Sequence, residues 1–265
     1  MAAMLAFAFT SCNKEKPADK VDATYNGYTL AECNYFKDNF TDGESLSLAK
    51  VSENTVDVNF ASQTWGTFTI AAADVAGNEA PFTVTGNGTV KMPSMQGGMN
   101  EYDVTLTATV YGSDSDKNVF TFSIPDVMGG TTVVFYTNTP APAFVVSGTY
   151  TGTLVYSVGT NEYDPVNDVV VKLVKADDAK VNVVLPEMGS GMMAIPSVEL
   201  NDIDVTTSDN VTYTLAETEF SVTANSITYE GTISGTYTSD VLTLDYSMKP
   251  GAMPMNINFR FEGNK

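Results

Sequence analysis

Apolar residues alternate with polar ones along most of the chain, in runs bounded by Gly, Asn, Asp and Pro. A period of two places successive side chains on opposite faces of a β-strand, and sustained apolar positions at helical spacing are absent from the sequence. About eight such runs occur in each half, separated by turns, which predicts antiparallel strands throughout. The clearest runs are 104–110, 120–124, 229–237, 242–246 and 255–261.

A segment near the start of the chain recurs, without gaps, at an offset of 125 residues. Tyr25 and Gly27 return as Tyr150 and Gly152. Further pairs at this offset are Leu46 and Val171, Leu48 and Leu173, Lys50 and Lys175, Val56 and Val181, Val58 and Val183, Phe60 and Leu185, Gly66 and Gly191, and Ile70 and Ile195. The repeat predicts two copies of one domain, over 22–138 and 145–265, joined by a proline-containing linker over 139–144.

The charged residues narrow the range of partners and chemistry. Thirty-two acidic residues against 13 basic ones leave a net charge of -19. This charge repels phosphate backbones, so we expect no nucleic-acid partner. Histidine is absent, which removes the usual general base near neutral pH and the commonest metal ligand. We therefore expect a protein that is not an enzyme and has no cofactor, with paired carboxylates as the one catalytic arrangement left open.

The first twelve residues, MAAMLAFAFTSC, read as the apolar core and lipobox of a bacterial lipoprotein signal. Cys12 is then the residue that carries the lipid, and 13–21 form a tether. The apolar run is too short to cross a bilayer, which takes about 20 residues. The alternative is an apolar leader before a cytosolic protein, since no Lys or Arg follows Met1 directly. The remaining cysteine, Cys33, is expected at a buried apolar position.

The lipobox, the all-β repeat and the closing segment 242–263 together resemble the calycin-like β-barrel lipoproteins of Gram-negative anaerobes. The resemblance implies two tandem, lipocalin-like barrels of eight antiparallel strands and an outer-membrane location; periodicity alone leaves a β-sandwich open. It also implies a basic residue of the last strand, Arg260, stacked over the first-strand aromatic Tyr150. Alternation instead places Arg260 on the polar face.

The candidate ligand-binding residues lie in one hairpin that differs between the copies. Trp65 and Phe68 make this hairpin aromatic in the first copy, whereas the matching segment 185–196 is rich in methionine, with Met188, Met192 and Met193. Flexible thioether side chains suit varied apolar ligands. If the hairpins lie at an open barrel mouth, these five residues would line a pocket. The alternative is a role in the core or as a cap.

Two motifs have spacings found in metal sites, and both are incomplete. Met92, Met95 and Met99 could offer soft ligands to Cu(I), but no histidine or free cysteine assists them. The segment 114–118 has the D-x-D-x-N spacing of a calcium loop, from Asp114 through Asp116 to Asn118, without the following Gly or the Glu at the twelfth position. We therefore expect no metal at either motif.

These observations favour an envelope-anchored, non-enzymatic lipoprotein that contacts membrane lipid through Cys12 and binds a small apolar or amphiphilic ligand inside one barrel. The alternative is a surface adhesion or assembly module with solid barrels that binds proteins or glycans.

Overall fold

The computed structural model describes residues 15–94, 97–189 and 194–265. The chain forms two compact units, divided between Thr139 and Pro140. Each unit is an antiparallel sheet that closes on itself, so the predicted tandem eight-stranded barrels are confirmed and the sandwich is excluded. Threonine, valine and aromatic residues dominate the strands, as expected for side chains that pack on a pleated surface.

Barrel 1 is an up-and-down meander in which each strand pairs with the next and the last returns to the first. Its strands are β1 (Ala23–Cys33), β2 (Phe36–Lys50), β3 (Thr55–Ser62), β4 (Gly66–Ala76), β5 (Phe82–Pro93), β6 (Met99–Val110), β7 (Val119–Ile124) and β8 (Thr131–Tyr136).

Barrel 2 has the same order and closes by pairing its last strand with its first, β17 with β9. Its strands are β9 (Gly148–Val158), β10 (Asn161–Glu162), β11 (Val166–Asp177), β12 (Lys180–Leu185), β13 (Val198–Thr207), β14 (Thr212–Ala224), β15 (Ile227–Thr238), β16 (Val241–Pro250) and β17 (Ile257–Asn264). The two-residue β10 only folds back onto the end of β9, so eight strands form the wall.

The alternation read from the sequence is the alternation of inward and outward side chains. Along β17, every second residue from Ile257 is buried. The core of barrel 1 is rich in phenylalanine, including a stacked pair, Phe60 and Phe68, with ring centroids 5.3 Å apart. The core of barrel 2 combines aliphatic residues with buried tyrosines such as Tyr150 and Tyr229.

Each barrel is closed at one end by a one-turn helix, α1 (Pro17–Val21) in barrel 1 and α2 (Pro142–Val146) in barrel 2. Ala and Val of each helix, at positions 18, 21, 143 and 146, are fully buried. Residues 17–21 were predicted as tether and 142–144 as linker, but both segments pack as parts of the barrels. One helical turn is too short to produce a visible helical period, so the pattern of apolar residues does not predict these helices.

A tyrosine on the first strand holds each cap helix in place. The hydroxyl of Tyr25 donates to the Val21 carbonyl oxygen at 2.8 Å, and the hydroxyl of Tyr150 donates to the Val146 carbonyl oxygen at 2.6 Å. These pairs are again 125 residues apart in the sequence. Burial raises the pKa of both phenols, so each remains a hydrogen-bond donor at physiological pH.

The seam where each barrel closes requires glycine on the first strand. A Cβ atom on Gly27 would lie 1.8 Å from the Tyr136 carbonyl oxygen, and one on Gly152 would lie 2.0 Å from that of Glu262. The repeated Gly thus lets backbone pass close to backbone at the same point of both barrels.

No helix among the described residues is both long enough and apolar enough to cross a membrane.

Candidate functional site

The mouth of barrel 2 is the end opposite α2. The described parts of the connection between β12 and β13 (186–189 and 194–197) lie here, together with the connection between β16 and β17 (251–256) and the segment that follows β9. Met188 and Ile195 exchange two backbone hydrogen bonds of 2.8 Å, which fixes the base of the methionine-rich connection. Pro and Gly in these segments end the strands here, as the sequence predicts.

A cavity of about 170 Å³ lies at this mouth. The described residues that line it are apolar or aromatic apart from one glycine: Tyr156, Val158, Tyr163, Met188, Gly189, Ile195, Ile257 and Phe259. The tyrosine hydroxyls are the only polar side-chain groups in this set. Engineered apolar cavities of about 150 Å³ bind benzene, so the space suits one ring or the end of an alkyl chain.

Aromatic rings form one wall of the cavity. Gly159, with φ +61°, turns the chain after β9 so that β10 pairs back onto it. Tyr163 is thereby stacked on Tyr156, with ring centroids 4.8 Å apart and planes 4° apart. Tyr156 faces Phe259 on β17, and Phe259 stacks on Tyr246 at 4.6 Å. Burial raises the pKa of the Tyr246 hydroxyl, which keeps this stack uncharged.

The corresponding end of barrel 1 is filled by the protein's own side chains. Trp65 is 5% exposed and packs against Phe36, with ring centroids 5.6 Å apart. Phe68 is fully buried and contacts Phe122 at 4.8 Å. The structure therefore places Trp65 and Phe68 in the core, as the alternative interpretation held, and not on the wall of an open pocket.

A buried carboxylate holds the Trp65 hairpin. Glu44 is 2% exposed and accepts hydrogen bonds from the Ser62 hydroxyl at 2.7 Å and from the Gln63 backbone N–H at 3.2 Å. Ser62 Oγ in turn accepts the Trp65 backbone N–H at 3.1 Å. Burial raises the pKa of Glu44, and the two hydrogen bonds oppose that shift.

Of the five predicted ligand-binding residues, Met188 lies on the cavity wall. Met192 and Met193 fall outside the described residues, as do the predicted lipid-bearing Cys12 and Met95. Cys33 was expected to be buried, but it is only half-buried because β1 ends there in an exposed hairpin.

The two metal motifs have structural explanations in the described chain. Met92 pairs with Asn100, and Met99 pairs with Pro93, so Met92 and Met99 point to opposite faces of their hairpin. The Asn118 side chain makes hydrogen bonds to backbone groups of its own loop. Within the described ranges, Asp, Glu and Cys side chains form no group of three or more that could hold a metal ion.

Arg260 does not cover Tyr150, which agrees with the alternation rather than with the resemblance. Its guanidinium lies 3.0 Å from both carboxylate oxygens of Asp245 on the outer face. A different cation, Lys265, lies over a different tyrosine. Its ammonium donates to the Val145 carbonyl oxygen at 2.8 Å and lies 5.7 Å from the centre of the Tyr237 ring.

Tyr156, Tyr163 and Phe259 were not among the predicted site residues. Phe259 lies on the apolar face of the alternating run 255–261, but its place at the mouth depends on barrel closure. Tyr163 lies in a turn-rich segment, NEYDP. One aromatic residue among polar neighbours is the only sequence signal that could have marked it.

Comparison with known proteins gives the family. A family model described as Calycin-like beta-barrel domain matches residues 21–139 and 146–264. The crystal structure of a "putative outer membrane protein" from Bacteroides fragilis is similar, with a TM-score of 0.67, 27% sequence identity, and coverage of 94% of this chain and 100% of that one. A protein with unknown function from Nostoc punctiforme covers 92% of this chain and 96% of its own, with a TM-score of 0.21 and 9% identity. No curated protein matches. The matched ranges span both barrels, and the chain therefore belongs to the calycin-like β-barrel family as a tandem two-domain member.

Proposed function

We propose that this protein is a non-enzymatic envelope lipoprotein whose second barrel binds the apolar end of a small apolar or amphiphilic molecule at its mouth. The observation that carries the proposal is the 170 Å³ cavity with its apolar and aromatic lining. Small-molecule sites are concave, mostly apolar and often set in the mouths of β-barrels.

The size of the cavity limits what enters it. Pockets that enclose a whole drug-sized molecule have volumes of about 300–1,000 Å³. The mouth of barrel 2 is smaller, so one ring or chain end would be enclosed while the rest of the ligand stays at the entrance. Tyr163, which is 46% exposed, would form that entrance because its ring already stacks on the wall.

The absence of catalytic groups supports binding over catalysis. Among the described residues, those that line the cavity include no carboxylate, lysine, serine or cysteine, and the sequence has no histidine. The envelope location draws support from the similarity to the Bacteroides fragilis protein and from the lipobox that ends at Cys12.

The cavity is tested with N-phenyl-1-naphthylamine, a neutral probe whose fluorescence rises in apolar surroundings, and with lauric acid as its competitor. We expect residues 13–265 to enhance the fluorescence and Val158→Phe to remove most of this effect, because the new ring occupies the cavity. The matched control is Cys33→Phe at the corresponding position of barrel 1, 125 residues earlier.

Two results would contradict this part of the proposal. One is a wild-type protein that leaves the probe in water; the other is a Val158→Phe variant that melts like wild type and still binds the probe equally well.

The lipid anchor is tested separately, by labelling cells with radioactive palmitate. Wild-type protein should incorporate the label and Cys12→Ala should not. Equal labelling of the two would exclude attachment at Cys12 without affecting the test of the cavity.

A further inference from the structure

We propose that barrel 1 carries a second binding site, for a neutral sugar ring, in a cleft at its helix-capped end. The site is independent of the cavity in barrel 2. The cleft lies between the connection of β4 to β5 (77–81) and the connection of β6 to β7 (111–118), and it has a volume of about 630 Å³.

The cleft exists because barrel 1 has a long connection where barrel 2 has a tight turn. In barrel 2, β15 and β16 are joined by Ser239 and Asp240 alone, with φ of 51° and 65°. Two residues at positive φ form the turn that fits the twist of a hairpin and leave no loop above the barrel. The eight residues 111–118 of barrel 1 are thus a departure between two otherwise matching copies.

This longer connection is held rigidly by one buried side chain. Asn118 is 1% exposed and accepts the Tyr111 backbone N–H at 2.7 Å. Its amide donates to the carbonyl oxygens of Gly112 at 2.9 Å and Ser115 at 2.8 Å. The Thr137 hydroxyl adds a further bond to Ser115 at 2.8 Å. A connection ordered in advance loses little entropy when it binds a ligand.

The rigid connection presents an aromatic ring to the cleft. Tyr111 follows the buried Val110 and points outward, with 41% of its surface exposed. A tyrosine offers a flat apolar face together with a polar hydroxyl, which matches a sugar ring that has C–H groups on its faces and hydroxyls at its rim.

Polar side chains line the same cleft as this ring, and two of them are not used by the fold. Asn78 and Glu79 line the cleft, and no hydrogen bond or ion pair engages either side chain within the described residues. Asp114 contributes a second carboxylate. Amide and carboxylate groups around an aromatic face can accept and donate the hydrogen bonds that sugar hydroxyls need.

The charge in the cleft selects a neutral sugar. Among the described residues that line the cleft, Lys20 is the one cation beside Glu79 and Asp114, and its ammonium is already paired with the carboxylate of Glu15. Lys117 belongs to the same connection but does not line the cleft. The cleft therefore remains negative on a chain whose net charge is -19, which disfavours uronic and sulfated sugars.

The proposal is tested by titrating ¹⁵N-labelled residues 13–265 with maltose, cellobiose and N,N′-diacetylchitobiose, followed by amide NMR. We expect at least one of these to shift the amides of Gly112, Ser113 and Ser115, with a dissociation constant of about 1 mM. Glucuronic acid, which is anionic, should bind more weakly than the disaccharide that binds.

Two variants identify the platform. Tyr111→Ala should weaken binding by about tenfold or more, while Tyr35→Ala, an 82% exposed tyrosine on the hairpin between β1 and β2, should leave it unchanged. Both positions are exposed, so both variants are expected to fold, and their unfolding midpoints check this. The proposal is overturned if no neutral sugar shifts these amides, if Tyr111→Ala binds like wild type, or if glucuronic acid binds as tightly.

Discussion

The hydrogen bond between the first-strand tyrosine and the cap helix gives the sharpest stability prediction, because the same atom can be removed from both barrels. Tyr25→Phe and Tyr150→Phe delete only the hydroxyls that donate to Val21 and Val146 at 2.8 and 2.6 Å. The rings, which are 1% and 0% exposed, stay in place.

The expected size of the effect follows from burial. Each carbonyl oxygen loses its donor in a region closed to water, and a buried group left unpaired costs about 1–3 kcal/mol. For a barrel of this size, that loss lowers the melting temperature by about 3–10 °C. Local opening of the cap costs less free energy than global unfolding. A loss of this size should make the open state of the cap about 5- to 150-fold more populated.

Hydrogen-exchange mass spectrometry measures the opening of each cap helix directly. Tyr25→Phe should speed exchange in peptides that cover α1, where the Ala18 N–H donates to Glu53, and leave α2 unchanged; Tyr150→Phe should do the reverse. Tyr35→Phe, which removes an exposed hydroxyl, is the control. Shifts below about 1 °C with unchanged exchange in both caps would refute the assignment of these hydroxyls as the cap anchors.

Three further predictions concern other positions. Glu44→Gln should stabilise barrel 1 at pH 7: because the folded pKa of Glu44 is raised, the wild type loses stability as the pH rises above the ordinary value of 4.5, and the amide removes that loss. Urea unfolding at pH 4 and pH 7 measures it, and a variant less stable than wild type at pH 7 would contradict it. Gly27→Ala and Gly152→Ala should each prevent closure of the affected barrel, seen as lost β-signal in circular dichroism, since Cβ would lie within 2.0 Å of a carbonyl oxygen; a native spectrum would be the opposing result. Asn118→Ala should cost about 1–3 kcal/mol, because it leaves the Tyr111 N–H unpaired and removes one of two donors from the carbonyl oxygens of Gly112 and Ser115; a urea midpoint close to wild type would argue against the rigid connection.

The strands and the tandem barrels could be predicted from the sequence because both leave regular marks. Burial every second residue along β17 appears directly as alternating hydrophobicity. The offset between Tyr25 and Tyr150 marks equivalent places in two closed sheets. Closure itself depends on pairing between strands at opposite ends of each domain, so the sandwich stayed open until the structure was known.

The cap helices were missed for a reason of length, although a signal was present. Pro17, Ala18 and Val21 recur as Pro142, Ala143 and Val146 at the same offset as the strands. A search of the repeat beyond its strand positions would have marked both segments as parts of the domains.

The candidate site was the least predictable part. A hairpin residue such as Trp65 has no alternation to show whether it points inward, and here it folds into the core. The cavity in barrel 2 arises where β10 folds Tyr163 back onto Tyr156, a contact that depends on the turn at Gly159. Methionine content pointed to the connection that contains Met188, but not to the aromatic wall that Met188 shares at the cavity.

The central claim is that barrel 2 is open to a ligand at its mouth whereas barrel 1 is filled. Methyl NMR of protein labelled with ¹³C at the methionine methyl groups tests this directly, with lauric acid as the titrant. We predict a saturable shift of the Met188 methyl on the cavity wall and none at Met92, which packs on the core of barrel 1. An unmoved Met188 signal, or equal shifts at both residues, would contradict the account.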